Sequence, residues 1–462
     1  MKPFDLYGPL PEPGSTTVLE ASAGTGKTFA LAALVTRYVA EGVATLDQML
    51  LVTFSRAATR ELRERVRAQL LQALELLDTP PDTAPNDLIA HLLGAPHDER
   101  ERRAARLRHA LAIFDSATIA TTHQFCHIVL KSLGVAGDAD ADVTLVDSLA
   151  ELVNEIVDDV YLAQFGQQSA PPPLTRAQAY DIARMAVENP GAAIHPVGEP
   201  AGSTAAVRVE FVRRVLAELE PRKRRLRIQG YDDLLSRLAA ALESADAPAR
   251  ARMRQRWDIV MVDEFQDTDP IQWQVVERAF VGVSTVVLIG DPKQAIYAFR
   301  GGDVATYLSA AGTTGERQTL AVNRRTDRAL LEAVHTVIGG TELGDPGIVV
   351  VDVTAARPGH RLAGAPHNDP FRLRVVGRES FGRTGTKVVR IGDLRAHIAA
   401  DMAADIARLL DSGATFDGRP LTAGDIAVIV DNRWDAAACR EAFGTAGVPV
   451  VYSGDSDVYA SS

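Results

Sequence analysis

Cysteine is almost missing from this sequence: Cys126 and Cys439 are the only two in 462 residues. They stand far apart with no CxxC spacing, which excludes a disulfide framework or a cysteine zinc site and leaves both as core candidates. Long apolar runs are missing too, for none reaches the roughly 18 residues that cross a bilayer. Residues 1–7 lack the cationic start and apolar stretch of a secretion signal, so a cytoplasmic protein without membrane contact is expected. Positive charge is in deficit. With 49 Lys and Arg against 60 Asp and Glu, the net charge is −11, the opposite of a general nucleic-acid coat protein, so any nucleic-acid contact has to be local. No fixed-period repeat is visible, which removes solenoid architectures.

What is present is an ordinary globular balance, 46% hydrophobic and 24% charged, in a chain too long for one core, since cores stop growing near ~250–300 residues. Two or three domains are expected. The first third alternates short apolar runs (17–19, 49–52) with helical patterns (29–39, 57–77), the signal of a parallel α/β sheet. Two stretches rich in proline and small or polar residues, 79–96 and 169–204, read as surface connections around an inserted helical region. Strand candidates at 259–262 and 286–289 then each lead to an acidic residue at the edge where α/β sheets place ligands. From about residue 318 the composition changes. A Gly/Pro-rich stretch, 339–370, precedes a helix at 394–410 and a strand at 425–430, read as the start of a second α/β domain.

The segment Ala21-Ser22-Ala23-Gly24-Thr25-Gly26-Lys27-Thr28 follows a strand and opens a helix. Its backbone N–H groups can converge on phosphate oxygens, with Lys27 reaching the β- and γ-phosphates and the Thr28 hydroxyl binding Mg²⁺. Ala21 stands where the strict pattern has glycine. In Val262-Asp263-Glu264-Phe265-Gln266-Asp267, an apolar strand delivers two adjacent carboxylates to the sheet edge, suiting Asp263 for metal and Glu264 for activating water. Alone, the acidic pair reads as a solvated turn; behind a phosphate loop in the right order, it reads as part of an ATPase. The expected fold is therefore α/β: a P-loop NTPase (RecA-like) parallel sheet with an inserted helical subdomain and an incomplete second RecA-like domain. The expected boundaries are 1–135 and 251–317 for the sheet domain, with a helical excursion near 79–110, then 136–250 for the insertion and 318–462 for the partial second domain.

Six ordered motifs make the chain resemble superfamily 1 DNA helicases of the UvrD/Rep/RecB group, with Glu20 through Phe29 closest to the RecB form. Val52-Thr53-Phe54-Ser55-Arg56 resembles motif Ia and Thr121-Thr122-His123-Gln124-Phe125 motif Ib, which line the single-stranded DNA track in that family. The resemblance assigns DNA contacts to Thr53, Phe54, Arg56, Thr121 and His123; physically, Phe54 offers a stacking face, and Thr53, Thr121 and His123 offer phosphate donors. Gly290 through Gly301 matches motif III. The resemblance gives Gln294 a γ-phosphate-sensing role and places Tyr297, Phe299 and Arg300 on the DNA, Phe299 replacing the family's usual tryptophan. Leu320 through Thr326 resembles motif IV, so Arg325 falls at the arginine-finger position and Arg324 replaces the aromatic that stacks on adenine. The chain also lacks the family's glutamine motif for adenine recognition ahead of the phosphate loop.

The resemblance implies ATP and Mg²⁺ as cofactors, 3′→5′ movement on single-stranded DNA, engagement of DNA ends in double-strand-break repair, and RecC- and RecD-like partner subunits. The family's 2B insertion, its motifs V and VI and the RecB nuclease domain have no counterpart here. A fragment or truncated product with weak turnover is accordingly expected, and a nucleotide- and DNA-binding module without unwinding is the rival reading. An unrelated P-loop kinase or AAA+ ATPase would leave Gln294, Tyr297 through Arg300 and Asn323 through Arg325 unexplained. The basic run 222–227 reads either as a phosphate-backbone contact or, more simply, as a solvated helix face.

Overall fold

The computed structural model describes all residues except 134–142, 147, 169–170, 190–191, 297–301, 314–315, 383–387 and 453–462. A two-residue strand, β1 (Lys2–Pro3), precedes the first buried strand, β2 (Thr16–Glu20). There follow α1 (Lys27–Ala40), β3 (Met49–Thr53), α2 (Arg56–Asp78), α3 (Asp87–Leu93), α4 (His97–Ala112), β4 (Thr118–Thr121) and α5 (Thr122–Leu133). Helices begin where the sequence supplies a cap: Ser55 Oγ accepts from the Ala58 N–H and Asn86 Oδ1 from that of Ile89, satisfying donors the helix itself cannot. The chain then leaves through β5 (Thr144–Leu145), forms α6 (Ala150–Phe165), α7 (Arg176–Glu188) and α8 (Thr204–Leu226), and returns through β6 (Ile228–Gln229). After α9 (Tyr231–Ala241) and α10 (Pro248–Arg256), the elements β7 (Ile259–Val262), α11 (Pro270–Phe280), β8 (Thr285–Gly290), α12 (Val304–Thr313) and β9 (Glu316–Thr319) complete this part.

Seven strands, all parallel, pair in the order β1-β9-β2-β8-β7-β3-β4. Every residue of β3, β7 and β8 is buried, because helices cover both faces; hence the unbroken apolar runs where a one-sided sheet would alternate. Successive residues serve opposite faces. Leu19, Met261 and Ile289 join α1, α2 and α4 in one core, while Val18, Val260 and Leu288 join α5, α9, α10 and α11 in the other. Trp257 anchors the second: it is 1% exposed, its indole N–H donates to Thr118 Oγ1 at 3.3 Å, and its ring meets Phe125 edge-on at 5.5 Å. Truncating such a residue costs ~3–5 kcal/mol. Cys126 lies beside it at 0% exposure, and burial pushes its thiol well above the ordinary value.

The insertion has its own core, from Leu152, Ile156 and Val157 of α6 through Ala179 and Ala183 of α7 to Phe211 and Val215 of α8. At its base β5 and β6 pair in parallel, Thr144 opposite Ile228. Helix α9, which falls within the expected insertion 136–250, instead buries Leu234 and Leu238 in the sheet's second core; α10, which straddles the expected boundary at residue 250, adds Met253 to the same core. The sheet also extends through Thr319, slightly past the expected boundary near residue 318.

By contacts the chain divides into Met1–Ala321 with Leu343–Ile348, and Val322–Glu342 with Val349–Ser462. The second unit contains β10 (Val322–Asp327), α13 (Arg328–Ile338), β11 (Thr354–Arg357), β12 (Leu362–Ala363), α14 (Ile391–Asp411), β13 (Thr415–Phe416), β14 (Arg419–Pro420) and α15 (Arg433–Thr445). β10 and β11 pair in parallel; α14 and α15 pack around Ala403, Phe443 and Val448. The strand expected at 425–430 is not formed. Residues 426–430 carry no regular structure, and Ile429 is 97% exposed, because an apolar run becomes a strand only with a neighbour to complete its ladder. Among the described residues, no helix is long and apolar enough to cross a membrane.

Candidate nucleotide and DNA site

Between β2 and α1 the backbone makes a tight loop. Gly24 and Gly26 take φ of 81° and 91°, a region glycine enters without steric cost. Ala21 has no such requirement: it is fully buried and its N–H donates to the Gly290 carbonyl at 2.9 Å, so a methyl group fits there. Thr25 closes the loop through Oγ1 to the Ser22 carbonyl at 2.7 Å. Gly26, the N-cap of α1, supplies no capping side chain, and the first turn holds no acid. This helix start, unlike that of α2, offers its N–H groups and its dipole to an anion. Ser22, Ala23 and Thr28 belong to the same loop and first turn.

At the carboxyl end of β7, Asp263 is 8% exposed, and burial, with Glu264 beside it, lifts its carboxyl to about 6. Glu264 sits in the left-handed region at φ 51°, a strained backbone for a residue other than glycine. Its Oε2 receives Lys27 Nζ at 2.7 Å and Gln266 Nε2 at 2.8 Å. Asp267, 5% exposed with Oδ1 buried and unpartnered, is likewise raised to about 6 by burial and by Glu264. Thr28 and Asp263 supply a hydroxyl and a carboxylate, the hard oxygen donors Mg²⁺ takes when phosphate and water complete its shell. Among the described residues no group of three or more His, Cys, Asp or Glu forms a separate metal cluster.

Past the end of β8, Asp291 is buried to 1% exposure. Its carboxylate accepts from Gln294 Nε2 at 2.6 Å and pairs with Lys293 Nζ at 2.7 Å. Lys293 also reaches Glu20, which a second cation, Arg317, holds at 2.8 Å. The structure thus brings Lys27, Asp263, Glu264 and Gln294 to one edge of the sheet. Tyr297, Phe299 and Arg300 lie outside the described residues.

The motif Ia and Ib residues fall into two groups. Thr53 and Thr121 stand opposite each other on β3 and β4, both buried, with their hydroxyls engaged locally. Thr53 Oγ1 shares a hydrogen bond with Thr59 Oγ1 at 2.6 Å, and Thr121 Oγ1 accepts from the Gln124 N–H at 3.3 Å. Both bonds lie at helix starts, those of α2 and α5. Arg56 and His123, by contrast, converge on Tyr231 at the start of α9: Arg56 Nη2 donates to its hydroxyl at 3.1 Å, and the His123 ring meets it edge-on at 5.6 Å. His123 also approaches Asp232 at 3.5 Å. Phe54, two residues before Arg56, is half-buried. Sequence reasoning missed Tyr231, whose only signal was an aromatic ahead of Asp232-Asp233 at a helix start.

Arg325 is exposed on β10 of the second unit, where buried Asn323 accepts from the N–H groups of Arg325 and Thr326 at 2.9 and 2.8 Å. In the basic run, Arg222 pairs with Asp159 inside the insertion, and Lys223 is buried against Glu220 of its own helix and Asp233 of α9; both charges are matched by neighbouring carboxylates. A cavity of about 1040 Å³ between α6, α7, α8 and the start of α9, lined by Val153, Met185 and Val212 among others, includes no phosphate-loop residue.

Residues 9–314 match the UvrD/REP helicase N-terminal domain family. The whole chain is 64% identical to the RecBCD enzyme subunit RecB of Mycolicibacterium smegmatis and 60% identical to that of Mycobacterium tuberculosis, spanning 42% of the length of each. Over 95% of this chain, the Escherichia coli RecB subunit is 27% identical, 48% of its length being matched.

Proposed function

The chain belongs to the UvrD/REP helicase family, and on that premise we propose that it is the ATP-driven DNA motor portion of a RecB-like helicase subunit. The observation that carries this reading is the 2.7 Å approach of Lys27 to Glu264, which sets the phosphate loop and the acidic strand end within reach of one bound nucleotide. In this reading residues 21–28 cradle the phosphates and Lys27 offsets their charge. Thr28 and Asp263 hold Mg²⁺, which when bound neutralises charge on the phosphates. Glu264 orients the attacking water, and Gln294 contacts the γ-phosphate. Arg325 is assigned the arginine finger on the family resemblance alone.

For DNA, Phe54, Arg56, His123 and Tyr231 form one stretch of the single-strand track, with Tyr297, Phe299 and Arg300 supplying the other. Thr53 and Thr121 act indirectly, by holding the helix starts. Movement 3′→5′, action at DNA ends in double-strand-break repair, and assembly with RecC- and RecD-like subunits extend the same proposal. A cytoplasmic location goes with it. A second reading is a module that binds nucleotide and DNA without unwinding.

Steady-state ATP hydrolysis with and without oligo-dT, on the chain and on Lys27→Ala, decides. Hydrolysis stimulated by oligo-dT and abolished in Lys27→Ala is the expected result. Hydrolysis insensitive to both would overturn the motor assignment, and binding without hydrolysis would favour the second reading.

A further inference from the structure

We propose that Gln266 is the positioning residue that ties the segment after β8 to the carboxylate of Glu264, so that DNA held by that segment and nucleotide held by the loop sense each other through one side-chain amide. The inference rests on the proposed motor function and adds a named coupling element to it.

Gln266 is 2% exposed, and both ends of its amide are used. Nε2 donates to Glu264 Oε2 at 2.8 Å and lies 3.3 Å from Asp267 Oδ2, while Oε1 accepts from the Asp291 N–H at 2.9 Å. The amide therefore has one permitted orientation: its donor end faces two carboxylates and its acceptor end a backbone N–H. The close approach depends on Gly290, where a Cβ would come within 2.7 Å of Gln266 Oε1 and 3.1 Å of the Gln266 backbone nitrogen. From Asp291 the connection continues to Gln294, through 2.6 Å between side chains and 2.8 Å between backbone groups.

An unbroken hydrogen-bonded path thus runs Lys27, Glu264, Gln266, Asp291, Gln294. It starts in the phosphate loop and stops three residues before Tyr297 in sequence. Because its middle is buried, slippage at either end of the Gln266 amide would leave a polar group unpaired, at about 1–3 kcal/mol. Displacement of Asp291 is then passed to Glu264, because the bonds hold. A glutamine that merely braced the turn would affect stability and both affinities alike and leave their mutual dependence intact, which separates the two roles.

The test uses the full 462-residue chain. The dissociation constant of a fluorescent, non-hydrolysable ATP analogue is measured with and without saturating oligo-dT, and melting temperatures are taken on the same samples. Parent protein should show a ratio of roughly fivefold or more, the lower range of measured couplings. Gln266→Met, similar in length but without hydrogen bonds, should bring that ratio close to one while each ligand alone binds within a few-fold of parent. Gln266→Glu keeps the acceptor facing Asp291 and loses the donor facing Glu264, and should lose the ratio as well; it decides the matter if the Met variant does not fold. Either variant retaining the parental ratio overturns the relay. So does a parent that binds both ligands independently. A parent that binds no nucleotide overturns the functional reading, and the relay with it.

Discussion

The two stretches of the sheet's carboxyl edge are built on different plans. Where β2, β7 and β8 end, the residues of the proposed nucleotide site, Lys27, Asp263, Glu264, Asp291 and Gln294, touch one another or share a partner, with Asp263 and Asp291 buried and the other three half-buried. Where β3 and β4 end, the motif divides its labour. Thr53 and Thr121 are spent on the starts of α2 and α5, and the side chains offered outward, Arg56 and His123, meet on Tyr231, which comes from distant sequence. A buried charge network needs every member in place at once, and a groove that follows a flexible strand needs only a firm scaffold and a few presented faces. The first plan is intolerant of substitution and the second graded.

Substitutions can break that contrast, and the largest effect is expected at the charged end. Glu264→Gln should lower DNA-stimulated turnover by ~10²–10⁴-fold, the usual contribution of a positioned base, with nucleotide affinity retained; lost affinity in a binding titration would show that Glu264 holds the ligand instead.

The next effect concerns pH. Asp263 and Asp267 titrate near 6 in the folded protein against about 3.9 for the unfolded carboxyl. The native state therefore holds more protons than the unfolded state between about pH 4 and pH 6, and these groups make the fold less stable as pH rises through that window. Asp263→Asn should remove its share, up to about 3 kcal/mol, and be more stable than parent at pH 7 but not at pH 4 in metal-free denaturation curves. Equal differences at the two pH values would mean that the carboxyl is not strained.

The smallest effects test the second plan. Tyr231→Ala should weaken oligo-dT binding by about 1–3 kcal/mol, the range for one stacked base, and leave the melting temperature near that of parent. Thr53→Val should do the reverse, costing about 1 kcal/mol of stability for its lost hydroxyl bonds and leaving DNA affinity unchanged. Anisotropy titrations and thermal melts on both variants give the comparison; a Thr53→Val protein that melts normally and binds DNA poorly would return that hydroxyl to the DNA.

How legible this was in the sequence follows the same division. The loop at 21–28 and the acidic pair at 263–264 are contiguous, so spacing alone located them, and the runs at 17–19, 49–52 and 259–262 lie within strands β2, β3 and β7. Tyr231 was not legible, because its partner Arg56 is 175 residues away and no local pattern joins them. The threonines are ambiguous for a chemical reason: a hydroxyl at a strand-to-helix junction suits a local partner, here Thr59 Oγ1 for Thr53 and the Gln124 N–H for Thr121, as well as a phosphate. Helix α14 was legible from its period, 394–410 against Ile391–Asp411. The apolar run at 426–430 was not, since periodicity reports what a segment would bury and not whether a neighbour exists to pair with it.

The joint between β5 and β6 bears on how such a chain can change over generations. The insertion departs and returns along two paired strands of two residues each, and its apolar interior is separate from the two that flank the sheet. Seen from the sheet it is a closed excursion whose ends are already together. Enlarging such an excursion is cheap in chain entropy, about 0.6 kcal/mol for each doubling of its length. The helices beyond this joint could be lengthened, trimmed or exchanged while β2, β7 and β8 keep the same register, leaving undisturbed the strands that hold the proposed nucleotide site.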